Sequence, residues 1–510
     1  MIARVWWWLV VGRCAGVVHI VHVVVDDVGW GNVGFHGNSE VETPTLDGLA
    51  RSGLELERLY AHKFCSPSRC ALQTGFAPIH VNVENVDPSV RNPSDPEGGY
   101  QGIPVSMVGI GEKLREKGYR THAVGKWDVG MATNKHHPRH RGFESWLGYW
   151  HHSNDYWSYE EGSCGSTSMR DLWEYNATHD GPAVREGYED EVLRAEAVRL
   201  VQMHDPREPL FLLWAPHLTH APLEVPREVE RLFLSIDDVE RRRMAAMVSL
   251  LDTEIGTLVA ALQPSLWKDT LLVVHSDNGG EIIFAGSCGG SNWPLRGGKF
   301  SNFEGGIRVV GLVNGGALGR RGKFDGLVGV WDWYATYCAI AGADPGNATR
   351  DSTNLWPVLR MGGDAPRTEL VIGDSSALGY NAQGQTLVGG LLWRNGTALY
   401  KLLLGAANKR YLIDQDVRAG PLFPNRSALA PQLYFRRCGR TAETGCLFDV
   451  IRDETEDNNI APQRPDIFYA MLRRASEFRL YSPNRGDEDP MACARARAYG
   501  NYWGPWINLI

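Results

Sequence analysis

The chain lacks several features that would place it outside the class of ordinary globular proteins. Its 510 residues contain no internal repeat and no low-complexity run, which excludes repeat architectures and long biased segments. Lysine and arginine number 52 against 60 aspartate and glutamate residues, and the net charge of −8 gives no reason to expect nucleic acid as a partner. Neither apolar run near the N-terminus reaches the about 20 residues that cross a bilayer, so we expect no membrane span.

Cysteine is also scarce. The nine cysteines are an odd number, so at least one of them cannot join an intramolecular disulfide. Cys438 and Cys446 are close enough in the sequence to bridge a hairpin-like loop, although spacing alone does not establish the pairing. With 43% hydrophobic residues, the chain has enough apolar material for a large buried core.

The N-terminal segment and the glycosylation motifs bear on where the protein is found. Residues 1–16 contain Arg4 followed by a short apolar run, but no clear small-residue cleavage site follows, so we interpret them as a signal segment or a truncated targeting segment. Four N-linked sequons favour a secreted or lysosomal route through the secretory pathway. They begin at Asn176, Asn347, Asn395 and Asn425.

The order of apolar segments predicts an α/β fold with two domains. Buried strands are expected over residues 17–25, 119–124, 210–214 and 270–275, with amphipathic helices between them. We expect this catalytic domain to span residues 17–368. Beyond it, shorter segments with turns predict a smaller C-terminal α+β domain over residues 369–510, containing an antiparallel sheet and one helix.

Acidic residues stand at the ends of two of these strands. Asp26 and Asp27 follow the first strand, and Asp277 and Asn278 follow the strand over residues 270–275. Carboxylate and amide oxygens are hard ligands, so at the carboxyl edge of a sheet they predict a Ca²⁺ or Mg²⁺ site and not a zinc site. The alternative for the acidic pair alone is a solvated turn.

A cysteine precedes a short helical stretch that ends at Gly75. Cys65 is followed by Ser66 and Pro67, residues suited to the start of a helix, so Cys65 is expected near the positive end of that helix. Arg69, one turn further on, lies on the same side and can pair with an oxyanion. The alternative is an inert cysteine buried in a small helix.

Basic residues follow other strands and a glycine-rich loop. Lys126 stands at a strand end, His220 lies on the loop after residues 210–214, and Lys299 lies in a glycine-rich loop; each can bind an anion or transfer a proton, or can be simply solvated. Residues 131–180 read as irregular and aromatic-rich. Their paired histidines match no common zinc motif and favour a loop over the mouth of a site. These histidines are His136, His137, His151 and His152.

The segment from Cys65 to Gly75 resembles the signature of the type I sulfatases. The resemblance extends over nearly the whole chain, and it is closest to the arylsulfatase B group in the motifs at residues 26–30, 33–37, 292–297 and 503–506. It implies an alkaline-phosphatase-like mixed sheet flanked by helices. It also implies a sulfuric ester hydrolase acting on a sulfated carbohydrate or an aryl sulfate.

The same resemblance implies a role for each candidate residue. A formylglycine-generating enzyme would convert Cys65 to formylglycine, whose hydrated aldehyde is the nucleophile, and Arg69 would hold that residue in place. Ca²⁺ would be held by the modified Cys65 and by the strand-end residues Asp26, Asp27, Asp277 and Asn278. Sulfate would be bound by Lys126, His220 and Lys299, with His220 or Lys299 helping to protonate the leaving alcohol.

Two departures from the family pattern stand out. Asp128 occupies the position where the family has a histidine that takes a proton as sulfate is expelled; an aspartate there is a shorter and weaker base and adds negative charge near the bound anion. Half-cystines expected in the loops at residues 86–106 and near His179 are absent, so Cys164 and Cys493 are expected to lack their usual partners. The alternatives are an impaired homologue that binds sulfated glycans, and a phosphate or phosphonate ester hydrolase.

Overall fold

The protein is described by a computed structural model that covers residues 17–85, 87–282, 289–374, 388–406, 437–481 and 485–509. The segment at residues 1–16 and the sequon at Asn425 lie outside the described residues.

A ten-stranded mixed sheet forms the centre of the molecule. Its strands run in the order β6-β5-β4-β3-β7-β1-β8-β9-β2-β10. In chain order they are β1 (His19–Val25), β2 (Leu54–Leu56), β3 (Arg120–Gly125), β4 (Ser145–Gly148), β5 (Trp173–Tyr175), β6 (Asp180–Pro182), β7 (Leu210–Ala215), β8 (Thr270–Ser276), β9 (Gly311–Asn314) and β10 (Gly322–Phe324).

The five central strands of this sheet are parallel. Strand β1 pairs with β7 on one side and with β8 on the other, and β3 pairs with both β7 and β4. The β1–β8 register runs from His19 opposite Thr270 to Val25 opposite Ser276. Because parallel strands end at the same edge, the residues that follow these five strands lie together.

Helices cover both faces of the sheet. Ile20 and Val24 of β1 pack into the core on one face, whereas Val21 and Val23 pack into the core on the other. Burial on both faces explains why β1 is apolar at nearly every position. The helices are α1 (Pro44–Ser52), α2 (Cys65–Thr74), α3 (Pro78–Val81), α4 (Ile110–Arg115), α5 (Glu189–Met203), α6 (Arg227–Glu230), α7 (Val239–Leu262), α8 (Glu304–Ile307), α9 (Asp332–Ala341), α10 (Trp356–Met361), α11 (Pro465–Ala475) and α12 (Pro490–Ala498).

Helix α7 is the single described helix that is long and apolar enough, by length and composition, to cross a membrane. It packs against α1 and α5 on one face of the sheet, and 56% of its most apolar stretch is buried inside the molecule. Met244, Met247 and Leu251 are all within the core on that face. This burial is typical of a helix packed in a protein core.

A second, antiparallel sheet follows the first in sequence. Its four strands, in the order β11-β12-β13-β14, are β11 (Glu369–Asp374), β12 (Val388–Asn395), β13 (Ala398–Leu403) and β14 (Cys446–Asp449). Helix α11 packs against β12 and β13. The antiparallel sheet and helix expected at the C-terminus are therefore present, while the boundary at residues 368 and 369 stays a prediction.

The last part of the chain returns to the large sheet. Asp487 and Glu488 pair with Val90 and Arg91, and Trp503 donates its indole N–H to the carbonyl of Glu161 at 2.7 Å. Cys164 and Cys493, which lack the partners expected from the family pattern, form a disulfide with each other across 329 residues of sequence. Cys438 and Cys446 form a second disulfide.

Residues 131–180 are more regular than the sequence indicated. They contain β4, β5 and β6, which extend the large sheet, and a hairpin of two strands, Glu160–Cys164 and Thr167–Arg170. These strands are only three to five residues long and carry tryptophan, proline and glycine, so they lack the apolar alternation that marks longer strands.

Candidate active site

Side chains from four parallel strands converge at the carboxyl edge of the large sheet. Asp26 and Asp27 follow β1, Lys126 follows β3, and Asp277 and Asn278 follow β8. The loop after β7 contributes His220. All of these predicted site residues are buried except His220, which is partly buried.

Cys65 is the first residue of helix α2, and its side chain faces this edge. It is 1% exposed, and its Sγ lies 3.7 Å from Oδ1 of Asp26. Gly75 ends the helix at a positive φ of 74°, as predicted. Ser66 lies inside the helix and does not cap it: the N-cap is Phe64, and no side chain caps the helix.

The environment of Cys65 opposes a negative charge on its sulfur. Burial raises the pKa of the Cys65 thiol well above its ordinary value, although the ammonium groups of Lys126 and Lys299 act in the opposite direction. An unmodified thiol at this position is therefore a poor nucleophile near neutral pH. Its place at the end of α2 still suits an oxygen-based group that develops negative charge.

The carboxylates and Cys65 form a group of donors that fits a metal ion. One ligand atom from each of Asp26, Asp27, Cys65 and His220 lies within 4.8 Å of the others. Oδ1 of Asn278 is buried and makes no hydrogen bond with any described residue. A buried amide oxygen without a partner is costly unless a cation or water meets it. The oxygen donors fit a hard divalent ion such as Ca²⁺ or Mg²⁺.

Three cations are paired with the three aspartates. Nζ of Lys126 lies 2.7 Å from Oδ2 of Asp26, and Nζ of Lys299 lies 2.7 Å from Oδ2 of Asp27. The guanidinium of Arg69 contacts Oδ2 of Asp277 at 2.7 Å. Although burial opposes its charge, Asp26 has a pKa below its ordinary value because Lys126 and the other cations stabilise the carboxylate. Burial and the negative charge of Asp26 raise the pKa of Asp277 to about 7.

His220 is hydrogen-bonded on both ring nitrogens. Its Nδ1 lies 2.6 Å from the carbonyl oxygen of Ala221, and its Nε2 lies 2.9 Å from Nζ of Lys299. Burial and then the charge of Lys299 lower the pKa of His220 to about 3. A neutral ring donates from Nδ1 to Ala221, so Nε2 accepts a hydrogen bond from the Lys299 ammonium.

Asp128 lies beside this cluster and is held from two sides. Its backbone has a positive φ of 49°. Its Oδ1 accepts a hydrogen bond from Oγ of Ser66 at 2.6 Å and contacts Nδ1 of His152 at 2.7 Å. Although burial opposes its charge, the pKa of Asp128 is lowered below its ordinary value by His152 and, to a smaller extent, by Lys126.

Comparison with known proteins identifies the family. The model of the family described as "Sulfatase" matches residues 18–343. The chain belongs to the sulfatase family. It is 32% identical to arylsulfatase J of Mus musculus over 507 residues, which cover 96% of this chain and 80% of that protein. It is also 32% identical to N-acetylgalactosamine-6-sulfatase of Homo sapiens, over 68% of this chain and 66% of that protein.

Solved structures agree with this assignment. The crystal structure of Ps i-CgsB in complex with k-i-k-neocarrahexaose is 26% identical, with a TM-score of 0.72 over 95% of this chain and 98% of that chain. The alkaline-phosphatase-like fold predicted from the motifs is confirmed, and the protein is a sulfatase by family and by fold.

Two residues near Cys65 were not predicted from the sequence to belong to the site of this sulfatase. Ser66 is inside helix α2, where its hydroxyl donates to Asp128, and His152 follows strand β4. Residues that follow parallel strands lie at the same edge of the sheet. If β4 had been recognised as a parallel strand, this would have predicted that His152 lies near Asp26 and Asp277. The short, aromatic sequence of β4 concealed it.

The other three histidines grouped with His152 do not form a loop over the site. His136 and His137 lie in short 3-10 turns and pack among aromatic rings, including those of Tyr100 and Trp150. His151 is buried, with Nδ1 2.7 Å from Oδ2 of Asp171. The expectation that all four histidines belong to one such loop is therefore wrong.

Proposed function

We propose that this sulfatase removes sulfate from a sulfated carbohydrate or aryl ester through formylglycine made from Cys65 and a bound Ca²⁺. The observation that carries the proposal is the position of Cys65, which is 3.7 Å from Asp26 and within a group of metal donors. When present, formylglycine would supply a hydroxyl nucleophile and Ca²⁺ would stabilise charge on the sulfuryl oxygens.

The aspartates are proposed to hold the metal. Asp26, Asp27, Asp277 and Asn278 would supply oxygen ligands, together with the modified Cys65. The donor atoms of Asp26, Asp27 and Cys65 already lie close together, and the Asn278 amide oxygen is buried without a hydrogen bond from the described residues. Arg69, bound to Asp277, would hold this side of the site in place.

The cations are proposed to bind sulfate and to move a proton. Lys126 and Lys299 are buried ammonium groups at the site, and they would stabilise the negative charge that builds up on the transferring group. Lys299 and His220 are in hydrogen-bond contact at 2.9 Å, so this pair would deliver a proton to the departing alcohol oxygen. Asp128 would accept the proton released when sulfate is expelled.

The sequons and disulfides support a secretory, lysosomal or extracellular location. Asn347 and Asn395 are exposed, and Asn176 is half-buried, so the first two are open to glycosylation. Two disulfides also favour an oxidising compartment. A formylglycine-generating enzyme would then be met during maturation.

The first experiment is the mass of the peptide that carries Cys65, combined with an assay of sulfate release. Trypsin cuts after Arg69, so Cys65 and Cys70 fall on separate peptides, and the buried Cys70 serves as an internal control. We expect an aldehyde at Cys65, a thiol at Cys70, and faster release from an aryl sulfate than from the matched phosphate ester.

Three results would contradict the proposal. A thiol at Cys65, in protein from a host that makes formylglycine, would exclude this mechanism. An aldehyde with no release of sulfate from aryl or carbohydrate esters would favour the impaired homologue, for which Asp128 is the specific reason. A higher rate on the phosphate ester would favour a phosphate or phosphonate ester hydrolase.

A further inference from the structure

The Asp128 carboxylate has two different oxygens. Oδ1 is bound by the Ser66 hydroxyl and by Nδ1 of His152, at 2.6 and 2.7 Å. Oδ2 is buried, lies 3.8 Å from Nζ of Lys126, and makes no hydrogen bond with any described residue. One oxygen therefore fixes the group in place, and the other is left to take a proton.

His152 reaches this carboxylate from a different strand. It follows β4, whereas Asp128 follows β3, and its side chain is 25% exposed while that of Asp128 is 2% exposed. Ser66, next to Cys65, is in contact with both: its Oγ lies 3.5 Å from Nδ1 of His152, and Gln101 donates to the same Oγ at 2.9 Å. This network ties the Asp128–His152 pair directly to the start of helix α2.

We propose that Asp128 and His152 work as one unit, in which Asp128 accepts the proton at Oδ2 and His152 is the positioning residue. His152 holds Oδ1 and cancels the negative charge of the carboxylate while sulfate is bound. The proposal rests on the proposed sulfatase mechanism and adds a residue from a neighbouring strand to it.

The proton balance of the step is simple. Asp128 Oδ2 would take the proton of a hydroxyl on the modified Cys65 side chain. The O–H electron pair would form the C=O bond as the C–O bond to sulfate breaks, and sulfate would leave with the electrons of that C–O bond. Asp128 then releases the proton to water, so the pair begins the next turnover ionised. No oxidant, reductant or further co-reactant is needed.

The charge of the pair explains why an aspartate can occupy this position. An ionised carboxylate alone would repel the sulfate held by Lys126 in a buried site, where charges interact strongly. A protonated imidazole 2.7 Å away makes the pair neutral. The pair then has the same net charge as the neutral histidine that the family has at this position. A carboxylate oxygen takes the place of the ring nitrogen as the proton acceptor.

Charged and polar groups surround the pair. Asp128 faces His152, Lys126 and the Ser66 hydroxyl. The ring of His152 faces Asp128, and Asp87 and Glu161 are also within electrostatic reach of it. Replacing this ring by an uncharged group should therefore weaken sulfate binding, because the charge of Asp128 is then no longer countered.

The test is the affinity for inorganic sulfate, measured by calorimetry in Ca²⁺ at about pH 5.5, together with kcat and KM on an aryl sulfate. His152→Gln keeps a side-chain amide donor but carries no charge. We expect its sulfate affinity to fall by about tenfold at this pH and its kcat to fall. The exposed His179→Gln variant is the matched control and should behave like the wild type.

Asp128→Asn supplies the second arm. It should lower kcat strongly without weakening sulfate binding, because it removes the base and the negative charge together. In the Asp128→Asn background, His152→Gln should change the sulfate affinity by less than about twofold, because the negative charge that His152 compensates is gone. Additive effects of the two substitutions would contradict a role that acts through Asp128.

A spectroscopic measurement separates this inference from the proposed function. In protein with labelled histidine, the imidazole ¹⁵N signals of His152 should shift on Asp128→Asn, whether or not Cys65 is modified. An inactive wild type in which this shift and the loss of sulfate affinity in His152→Gln are still seen would refute the proposed function alone. An active wild type in which His152→Gln changes neither sulfate affinity nor kcat would refute the inference alone.

Discussion

Two buried clusters of charge can be compared in this sulfatase. The site cluster consists of Asp26, Asp27, Asp277, Lys126, Lys299 and Arg69. The bridging cluster links helix α8 to the antiparallel sheet and consists of Glu304, Lys401 and Glu456. Lys401 Nζ lies 3.0 Å from Glu304 Oε1 and 2.9 Å from Glu456 Oε1, and the three residues are 0% exposed.

The two clusters differ in what surrounds the ion pairs. In the bridging cluster Tyr60 donates to Glu304, and the Glu304 backbone N–H donates to Glu456, so protein groups surround the carboxylates. The site cluster lies against Cys65 and the unbonded amide oxygen of Asn278, and it contains the one group of three or more metal-type donors among the described residues. Ion pairing and burial are therefore common to both clusters. The site cluster differs because it lies against Cys65, the proposed nucleophile, and against an amide oxygen that could bind a metal.

Removing the proposed nucleophile should have the largest effect. Cys65→Ala should lower turnover of an aryl sulfate by more than about a thousandfold, because no covalent route remains. Its melting temperature in Ca²⁺ should stay within a few degrees of the wild type. Kinetics and thermal unfolding check this, and retained turnover would show that Cys65 is not the nucleophile.

Breaking the bridging cluster should affect stability and not chemistry. Lys401→Met leaves two buried carboxylates without their ammonium and should cost about 3–5 kcal/mol of unfolding free energy. The matched variant Lys126→Met should lose turnover but less stability in Ca²⁺, because the metal compensates for the missing charge. Urea unfolding of both proteins tests the comparison, which fails if Lys126→Met is destabilised as much as Lys401→Met.

Calcium should stabilise one cluster only. At a free Ca²⁺ concentration of 100 times its Kd, binding adds about 2.7 kcal/mol to the unfolding free energy. We expect this gain in the wild type and in Glu456→Gln, and its loss in Asp27→Asn. Thermal unfolding with and without Ca²⁺ measures it, and an undiminished gain in Asp27→Asn would place the metal elsewhere.

A further comparison of the two clusters is the pH dependence of the metal-free protein. Burial raises the pKa of both Asp277 and Glu456 to about 7, above the ordinary values of about 4. Between these values the folded state binds protons that the unfolded state has released, so stability should fall as pH rises from about 4 to 7. Ca²⁺ or Asp277→Asn should remove the part due to Asp277 and leave the part due to Glu456. Unfolding curves across this range that keep the same slope in Asp277→Asn would exclude Asp277 as a contributor.

The sequence predicted the fold well, and it predicted that the strand-end residues lie together at one edge of the sheet. Long apolar strands are followed by Asp26 and Asp27 and by Asp277 and Asn278. The length and apolar pattern of these strands predict the sheet, and the polar residues that follow them predict the edge at which the site lies. The signature around Cys65 supplied the family, which the comparisons confirm. The likeness to the arylsulfatase B group, the glycosylation of the sequons and the role of each site residue stay predictions.

The features that the sequence did not reveal depend on contacts between distant or atypical segments. Cys164 and Cys493 pair across 329 residues, a distance at which spacing carries no information. His152 follows a four-residue strand, β4, whose sequence is too short and aromatic to show a period. The hydroxyl of Ser66 could have capped α2, yet tertiary contacts direct it to Asp128.

The return of the C-terminal segment to the large sheet has a consequence for synthesis. The hairpin at residues 160–170 is secured by Cys493, Tyr502 and Trp503, which leave the ribosome more than 300 residues later. His151, whose ring lies 5.1 Å from that of Trp503, and its neighbour His152 are on the same flank of the sheet. During most of translation this flank lacks its C-terminal partners. The site therefore reaches its final shape only when the C-terminal segment has packed against residues 160–170.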